Sequence, residues 1–362
     1  MKRIIFTVTN DLTYDQRMHK ICGSLQNAGY TVTLVGRQRK LSSQLIPKGF
    51  KQVRLKCIFD KGKLFYMEYN MRLLGFLLFK NTDIICAIDL DTIVPCTLAG
   101  KLKRKKLVYD AHEYFTEVPE VIDRPGVQKA WQWVEKNFVP KMDACYTVSH
   151  SLAELYGQKY EKPFSVILNA PLLKENNFEA AQDEDKFILY QGALNKGRGL
   201  EVLFESMQEL PLKLKLAGEG DLSKSLKILV TKLGLEDKVI FLGWVTPDQL
   251  EKLTPKAFLG YNLLENLGKS YYFSLSNKFF DYIHACLPAL SNPFPEYEAI
   301  NNAYLTGILT NLSASEIVLK VKKALEDENY YDALRENCKK ARQVFNWQIE
   351  EKKLISIYDG LR

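Results

Sequence analysis

Short runs of β-branched, aromatic and aliphatic residues alternate with helical segments along the whole chain, and no other feature narrows its fold so far. The runs fall at 4–9, 31–35, 53–58, 83–88, 106–109, 144–148 and 165–168 in the first half. In the second half they fall at 187–191, 212–217, 239–242, 258–263, 289–291 and 307–310. Strands separated by helices pair in parallel, because a parallel neighbour needs a crossover connection, usually a helix. The expectation is therefore an α/β protein of doubly wound parallel sheets. At 362 residues the chain is too long for one ordinary core. The alternation breaks once, at Asn169-Ala170-Pro171 and the polar stretch 174–186, where Asp183-Glu184-Asp185 reads as solvated linker. This predicts Rossmann-like domains over 1–169 and 170–343, with 344–362 as a helix returning toward the first. Further helices are expected at 313–327, 331–345 and 347–358, and no repeat of 20–50 residues is visible.

Composition sets the class of partner. A hydrophobic content of 46% with 12% aromatics is ample for packed cores and excludes a disordered chain. The net charge of +7 fits an anionic partner such as a nucleotide, a phospholipid surface or a lipid-phosphate acceptor, without calling for nucleic acid. Cysteines stand singly at 22, 57, 86, 96, 145, 286 and 338, odd in number and without a CxxC, so neither a disulfide framework nor a zinc ribbon is expected. Reduced thiols in the cytoplasm are the simplest account. The first residues, Met1-Lys2-Arg3-Ile4-Ile5-Phe6-Thr7-Val8, read as a strand without a signal-peptide core, and no apolar stretch is long enough to span a bilayer.

Ligands of doubly wound sheets sit at the carboxyl ends of the strands, and two such domains facing each other make a cleft. Three loops of the second half fall at strand ends. The first, Tyr190 to Glu201, carries Gly192, Gly197 and Gly199 beside Arg198, whose guanidinium can grip a pyrophosphate bidentately. The second is Leu216-Ala217-Gly218-Glu219-Gly220-Asp221, a strand, a glycine turn and a helix start. The third, Ser274 to Asp281, places Ser276 and Asn277 where a helix is capped, then Lys278, then Asp281 one turn on along the same face. Backbone N–H groups there suit phosphate, Lys278 adds charge, and Asp281 suits the hydroxyls of a ribose. An ordinary capped helix with two surface charges is the other reading of that segment.

Taken in order, "YQG…GRGLE", "AGEGD", "FLGWVTPDQL" and "SLSNKFFDYIHACLPALSNPFPEYEAI" resemble the donor domain of GT-B glycosyltransferases, specifically the large retaining family 4. "TNDLTYDQRMHK", "AIDLDTIVPCTLAGKLKRKKLVYDAHEYFTEVPE" and "YTVSHSLAELYGQKY…VILNAP" resemble a bacterial branch of it that works in polysaccharide and cell-envelope assembly. The resemblance covers nearly the whole chain. It implies transfer of a sugar from a nucleotide-diphosphate sugar to a glycan or lipid-linked acceptor, with retention and without metal or other cofactor. It assigns Arg198 and Lys278 to the diphosphate, Gly192 to close backbone approach, and Asp281 to the ribose, with Gly218, Glu219, Ser276 and Asn277 in the same site. Departures are visible. The first glutamate of the family's two-glutamate motif falls on Phe273, with Glu265 and Asn266 as substitutes, the usual basic residue after Gly192 is Ala193, and the ribose carboxylate is Asp rather than Glu. A degenerate nucleotide-binding subunit and a nucleotide-sugar 2-epimerase are the alternatives these departures leave.

In the first half, Tyr109-Asp110-Ala111-His112-Glu113 ends a strand. His112 matches the family's histidine lining the donor-sugar pocket; a histidine satisfied locally by Asp110 or Glu113 is the alternative. Asp11, Asp15 and Arg17, with Asn10, Gln16 and Lys20, follow the first strand and are assigned with Glu113 to the acceptor side; Glu117 is a weaker candidate. Asp89-Leu90-Asp91 resembles a metal-binding DxD, but its place between strand and helix favours a cap and strand-end role, and no HExxH or His/Cys cluster argues for a metal. The apolar segment 63–80 reads as a buried helix, and the basic run Lys101 to Lys106 as a solvated face that could steer the protein to an anionic membrane.

Overall fold

The computed structural model describes residues 1–40, 42–175 and 186–361. By contacts the chain divides into two compact units, Met1–Leu168 with Glu350–Arg362, and Asn169–Ile349. Most of the expected linker, including Asp183-Glu184-Asp185, lies outside the described residues.

The first unit is built on seven strands: β1 Arg3–Thr7, β2 Thr31–Gln38, β3 Lys51–Lys56, β4 Ile84–Ile88, β5 Lys106–Ala111, β6 Ala144–Thr147 and β7 Phe164–Val166. They pair in parallel in the order β3-β2-β1-β4-β5-β6-β7. The second unit carries six: β8 Phe187–Gln191, β9 Lys213–Ala217, β10 Val239–Gly243, β11 Leu259–Asn262, β12 Ala289–Ser291 and β13 Gly307–Leu309. Their order is β10-β9-β8-β11-β12-β13, again all parallel. Central strands such as Ile84–Ile88 and Phe187–Gln191 are buried throughout, because helices cover both faces of a parallel sheet.

In each sheet the strand order reverses once, between β1 and β4 and between β8 and β11, the positions at which doubly wound sheets open a crevice. Both reversals are laced by a hydrogen bond between the two flanking loops. Thr9 Oγ1 donates to Asp91 Oδ2 at 2.5 Å in the first, and the Glu265 N–H donates to the Gly197 carbonyl at 3.0 Å in the second.

The last helix, Trp347–Asp359, begins in the second unit and ends packed in the first. Trp347 N–H donates to the Pro171 carbonyl at 2.8 Å, while Glu350 Oε2 accepts from Leu168 N–H at 2.9 Å. The buried Tyr358 ring lies 5.8 Å from Phe6, and its hydroxyl 3.3 Å from that of Tyr146. The helix expected at 331–345 instead spans Glu328–Ala341, because Asp327 accepts from Tyr330 N–H and opens it a turn early. All seven cysteines are unpaired, and no described helix is long and apolar enough to cross a membrane.

Candidate functional site

The carboxyl ends of β8, β9 and β11 are closely interlocked. Beyond β8 the chain passes Gly192 at φ +135°, and beyond β9 it passes Gly218 at φ +150°. A Cβ on Gly218 would stand 1.9 Å from the Gly192 carbonyl oxygen, so only glycine lets the two strand ends meet. Gly192 N–H donates to Ala217 O and Gly218 N–H to Gly243 O, which pins both turns. Asn195 Oδ1 accepts from Asp221 N–H at 3.1 Å and ties the first loop to the second. Glu219 stays exposed at the turn, its carbonyl accepting from Leu194 N–H.

Onto this platform the helix Asn277–His284 delivers Lys278 and Asp281. Its apolar residues Phe279, Phe280, Tyr282 and Ile283 are buried, with Tyr282 Oη donating to Leu189 O at 3.0 Å. That anchorage turns Lys278 onto the face of Tyr190, Nζ 4.2 Å from the ring centroid. Asp281 is turned onto Gln191, whose Nε2 donates to Oδ2 at 2.9 Å. Gln191 Oε1 in turn accepts from Thr254 Oγ1, which fixes the amide's orientation. The Arg198 guanidinium lies 5.2 Å from the Tyr271 ring, with Nε buried and without a hydrogen-bond partner. Burial, aided by Arg198, holds the Lys278 ammonium well below the usual lysine range. Among the described residues neither cation has a carboxylate partner. Two cations near one another, one of them buried, both without a carboxylate among the described residues, are the kind of group an anion would compensate.

The cap expected from Ser276 is not made. Ser276 is the N-cap residue by position, but its hydroxyl donates to Asn262 Oδ1 at 2.6 Å, satisfying a buried amide, and its N–H donates to Tyr297 Oη. Asn277 is exposed, and its Oδ1 accepts from Asn169 Nδ2. The first-turn N–H groups are thus not capped by the Ser276 side chain.

In the first unit the constellation centres on Asp110, fully buried at the end of β5. Arg17 Nη2 approaches Asp110 Oδ1 at 3.1 Å and Nη1 donates to Ile167 O at 3.0 Å. His112 Nε2 lies 2.9 Å from the other Asp110 oxygen. Asp89, at φ +53° after β4, accepts from His112 N–H at 2.8 Å and sits 3.9 Å from Nδ1. Burial alone would raise Asp110, but Arg17 and His112 outweigh it and hold the carboxyl below its usual range. Burial alone would lower His112, but Asp110 and Asp89 lift it to about 9. Burial pushes Asp91 up to about 6 and Asp89 to about 8, in the latter against His112. Asp110, the closer carboxylate and the more deeply buried, is the main partner favouring a protonated His112.

The other candidates serve the loop itself. Asp15 caps the helix Gln16–Asn27 through Met18 N–H and accepts from Asn10 Nδ2. Asp11 accepts from Thr13 N–H and Ser42 Oγ. Arg17, expected on the acceptor side, is only 5% exposed and spends its donors behind His112. Glu113 remains exposed. The Asp89–Asp91 pair does not cap the helix Ile93–Leu102: one carboxylate holds the His112 backbone and the other Thr9. Among the described residues no group of three or more His, Cys, Asp and Glu side chains is placed to hold a metal. Gln191, Tyr190 and Asn262 escaped the sequence reading as parts of these networks, whereas Asp110 is the local partner of His112 that the sequence offered as the alternative. The partners of the first three lie on other elements, and only strand-end position could have flagged them.

The sequence model described as "Glycosyltransferase Family 4" matches residues 16–170, and that described as "Glycosyl transferases group 1" matches residues 174–341. The chain belongs to the family-4-like glycosyltransferases of GT-B fold. Sucrose-phosphate synthase from Thermosynechococcus elongatus superimposes with a TM-score of 0.78 at 16% identity, over 100% of this chain and 99% of that one. HepE of Anabaena, in complex with UDP and glucose, gives 0.76 at 14% identity over 99% and 100%. At these identities the likeness speaks for the fold. The N-acetylgalactosamine-N,N'-diacetylbacillosaminyl-diphospho-undecaprenol 4-alpha-N-acetylgalactosaminyltransferase of Campylobacter jejuni is 38% identical over 88 residues, 23% of this chain and 24% of that relative. The chain thus matches about a quarter of the length of the first curated relatives. Phe273, which the sequence resemblance sets against the family glutamate, follows the short helix Lys269–Tyr272 and packs its ring 5.1 Å from Tyr272.

Proposed function

We propose that this glycosyltransferase moves a sugar from a nucleoside diphosphate sugar to an acceptor hydroxyl, with retention at the anomeric carbon and no metal requirement. One observation carries the reading: Arg198 and the buried Lys278 converge at the end of β8, among the described residues without a carboxylate, beside glycines that leave the backbone open. Departure of a nucleoside diphosphate is the costly event, and preorganised cations and backbone N–H groups stabilise the charge it develops. Asp281, oriented by Gln191, accepts from the ribose hydroxyls. His112, held protonated by Asp110, offers a donor to the sugar. The neighbouring HepE complex contains UDP, which makes UDP the first nucleotide to try. The Campylobacter relative is named for a diphospho-undecaprenol acceptor, which favours a lipid-linked acceptor and a place in cell-surface polysaccharide or glycolipid assembly.

Phe273 favours a second reading, a nucleotide-binding subunit without turnover, since the carboxylate that family members direct at the donor sugar is replaced by a ring. Calorimetric titration with UDP and its sugar conjugates, in wild type and Arg198→Ala, tests both. Binding that weakens at least tenfold in Arg198→Ala supports the donor site. Binding without hydrolysis or transfer, even with lipid-linked acceptor, favours the subunit, and no nucleotide binding at all defeats both. Activity lost to a chelator and restored by Mn2+ would refute metal independence, and an inverted product by NMR would refute retention.

A further inference from the structure

The helix Gly62–Phe79 is apolar nearly all round, yet only one side of it is covered. Phe65, Tyr69, Leu73 and Leu77 are buried at helical spacing. On the opposite side Leu64, Met67 and Met71 stand exposed, Met71 at 61%. The strand order carries the connections β3 to β4, β4 to β5 and β5 to β6 the same way across the sheet. Right-handed crossovers therefore place the helices Gly62–Phe79, Ile93–Leu102 and Pro125–Phe138 on one face, and they pack as neighbours there. The edge-on contact of Tyr66 with Trp131 at 5.7 Å ties the first helix to the third. The outer surface continues through Leu98 and Leu102 to Trp133, which is 62% exposed.

Charge on these three helices is sorted by depth. Their acids are Glu68 and Glu135, and both are buried. Glu68 accepts from the N–H groups of Ile58 and Phe59 and pairs with Arg72, while Glu135 pairs with Lys159. Lys63, Lys101, Lys129 and Lys136 all point outward. Lys129, Trp133 and Lys136 share one stripe, and Lys101 lies between Leu98 and Leu102. Among the described residues no acid answers these four lysines, and Arg104 just beyond is likewise exposed and unpaired.

An apolar surface with methionine, leucine and an outward tryptophan, set among cations and free of acids, matches the interface of an anionic bilayer. We propose that this three-helix face beds into the headgroup layer of an anionic membrane. The apolar side chains enter the acyl boundary, and the lysines meet lipid phosphates. The inference stands apart from the donor reading, since it uses no residue of either strand-end constellation.

Full-length protein is sedimented with vesicles of phosphatidylcholine, alone or mixed with phosphatidylglycerol. Binding is expected only to the mixture and should fall as salt rises. Met67→Asp with Met71→Asp should lower the partition coefficient at least tenfold. Lys101→Glu with Lys129→Glu should do the same, at about fivefold per cation removed. Both pairs should keep wild-type thermal unfolding, because all four side chains are exposed. No binding to the mixture, or binding indifferent to both pairs, overturns the proposal. Dimerisation in solution that Met67→Asp with Met71→Asp abolishes also overturns it, by assigning the face to a second copy of the chain. UDP titration run alongside keeps a failure here separate from failure of the donor site.

Discussion

Lys278→Met should make the protein more stable and worse at holding a nucleotide. Wild-type Lys278 is 8% exposed, and its ammonium rests on the Tyr190 ring with no carboxylate partner among the described residues. Burial therefore acts on it nearly unopposed. At pH 7 the penalty has a ceiling of about 5 kcal/mol, the free energy of neutralising a lysine of ordinary pKa 10.5. A cation–π contact returns about 0.5–2 kcal/mol of this, and methionine keeps most of the side-chain volume and a sulfur–aromatic contact. A net gain of about 1–3 kcal/mol is expected, which raises the melting temperature by roughly 3–10 °C for a unit of this size. The sign with pH follows from the depressed pKa. Below the folded-state pKa the penalty is complete, and as pH rises toward 10.5 the unfolded chain also loses its proton. The stability gap between Lys278→Met and wild type should therefore shrink from pH 7 to 9. Loss of one charge-assisted contact to the diphosphate costs about 1.5–3 kcal/mol, or roughly ten- to hundredfold in Kd. Differential scanning fluorimetry at two pH values and UDP calorimetry measure both quantities. A destabilised variant that binds UDP as well as wild type would refute the reasoning and make Lys278 a structural residue.

Three further outcomes follow from the same geometry. Asp110→Asn should bring His112 down from about 9 toward its ordinary 6.5, read from the imidazole C2–H resonance against pH. In wild type the stabilisation by protonated His112 is complete below 6.5 and lost as pH rises through about 9, so the variant should lose that slope. Gly218→Ala, whose Cβ would meet a backbone oxygen that cannot swing aside, should cost about 1–3 kcal/mol in strain and weaken UDP binding by displacing Gly192. Ser276→Ala should lower stability by about 1–3 kcal/mol by leaving Asn262 Oδ1 unpaired, with UDP affinity nearly unchanged; lost affinity at full stability would mark the hydroxyl as a ligand instead.

Every described strand falls on a run legible in the sequence, and for central strands such as Ile84–Ile88 and Phe187–Gln191 the reason is that burial on both faces demands nearly continuous apolar segments. Edges were less legible, since they depend on partners elsewhere. The first strand stops at Thr7 rather than at Thr9, whose side chain crosses the sheet reversal to Asp91. In the site, Lys278 and Arg198 were visible as cations at strand ends, but nothing local told that both lack a carboxylate. Ser276 has the signature of a cap, and only Asn262, fourteen residues away, shows why it does not cap. The segment 63–80 reads as a buried helix from its apolar content alone. Only the packed structure separates the covered Phe65–Tyr69–Leu73 side from the bare Met67–Met71 side.

The two strand-end constellations differ in how their charges are balanced, and that difference assigns the ligand's charge. In the first unit each buried ionic group has an internal answer: Asp110 meets Arg17 and His112, Asp89 meets the His112 N–H, and Asp91 meets Thr9. Such a network answers its own charges largely by internal hydrogen bonds, so it suits a hydrogen-bonding partner of little charge, such as sugar hydroxyls. In the second unit the carboxylate is oriented by an amide, while the cations are left uncompensated at a cost in stability. A fold keeps such a cost where an anion arriving from outside repays it. On the proposed donor reading, the diphosphate is therefore expected at the end of β8. A ligand carrying the sugar without the diphosphate, such as free glucose, should accordingly bind far more weakly than UDP, and should bind no better in Lys278→Met. Equal affinity for glucose and UDP would show that the cations at β8 serve some purpose other than holding the donor.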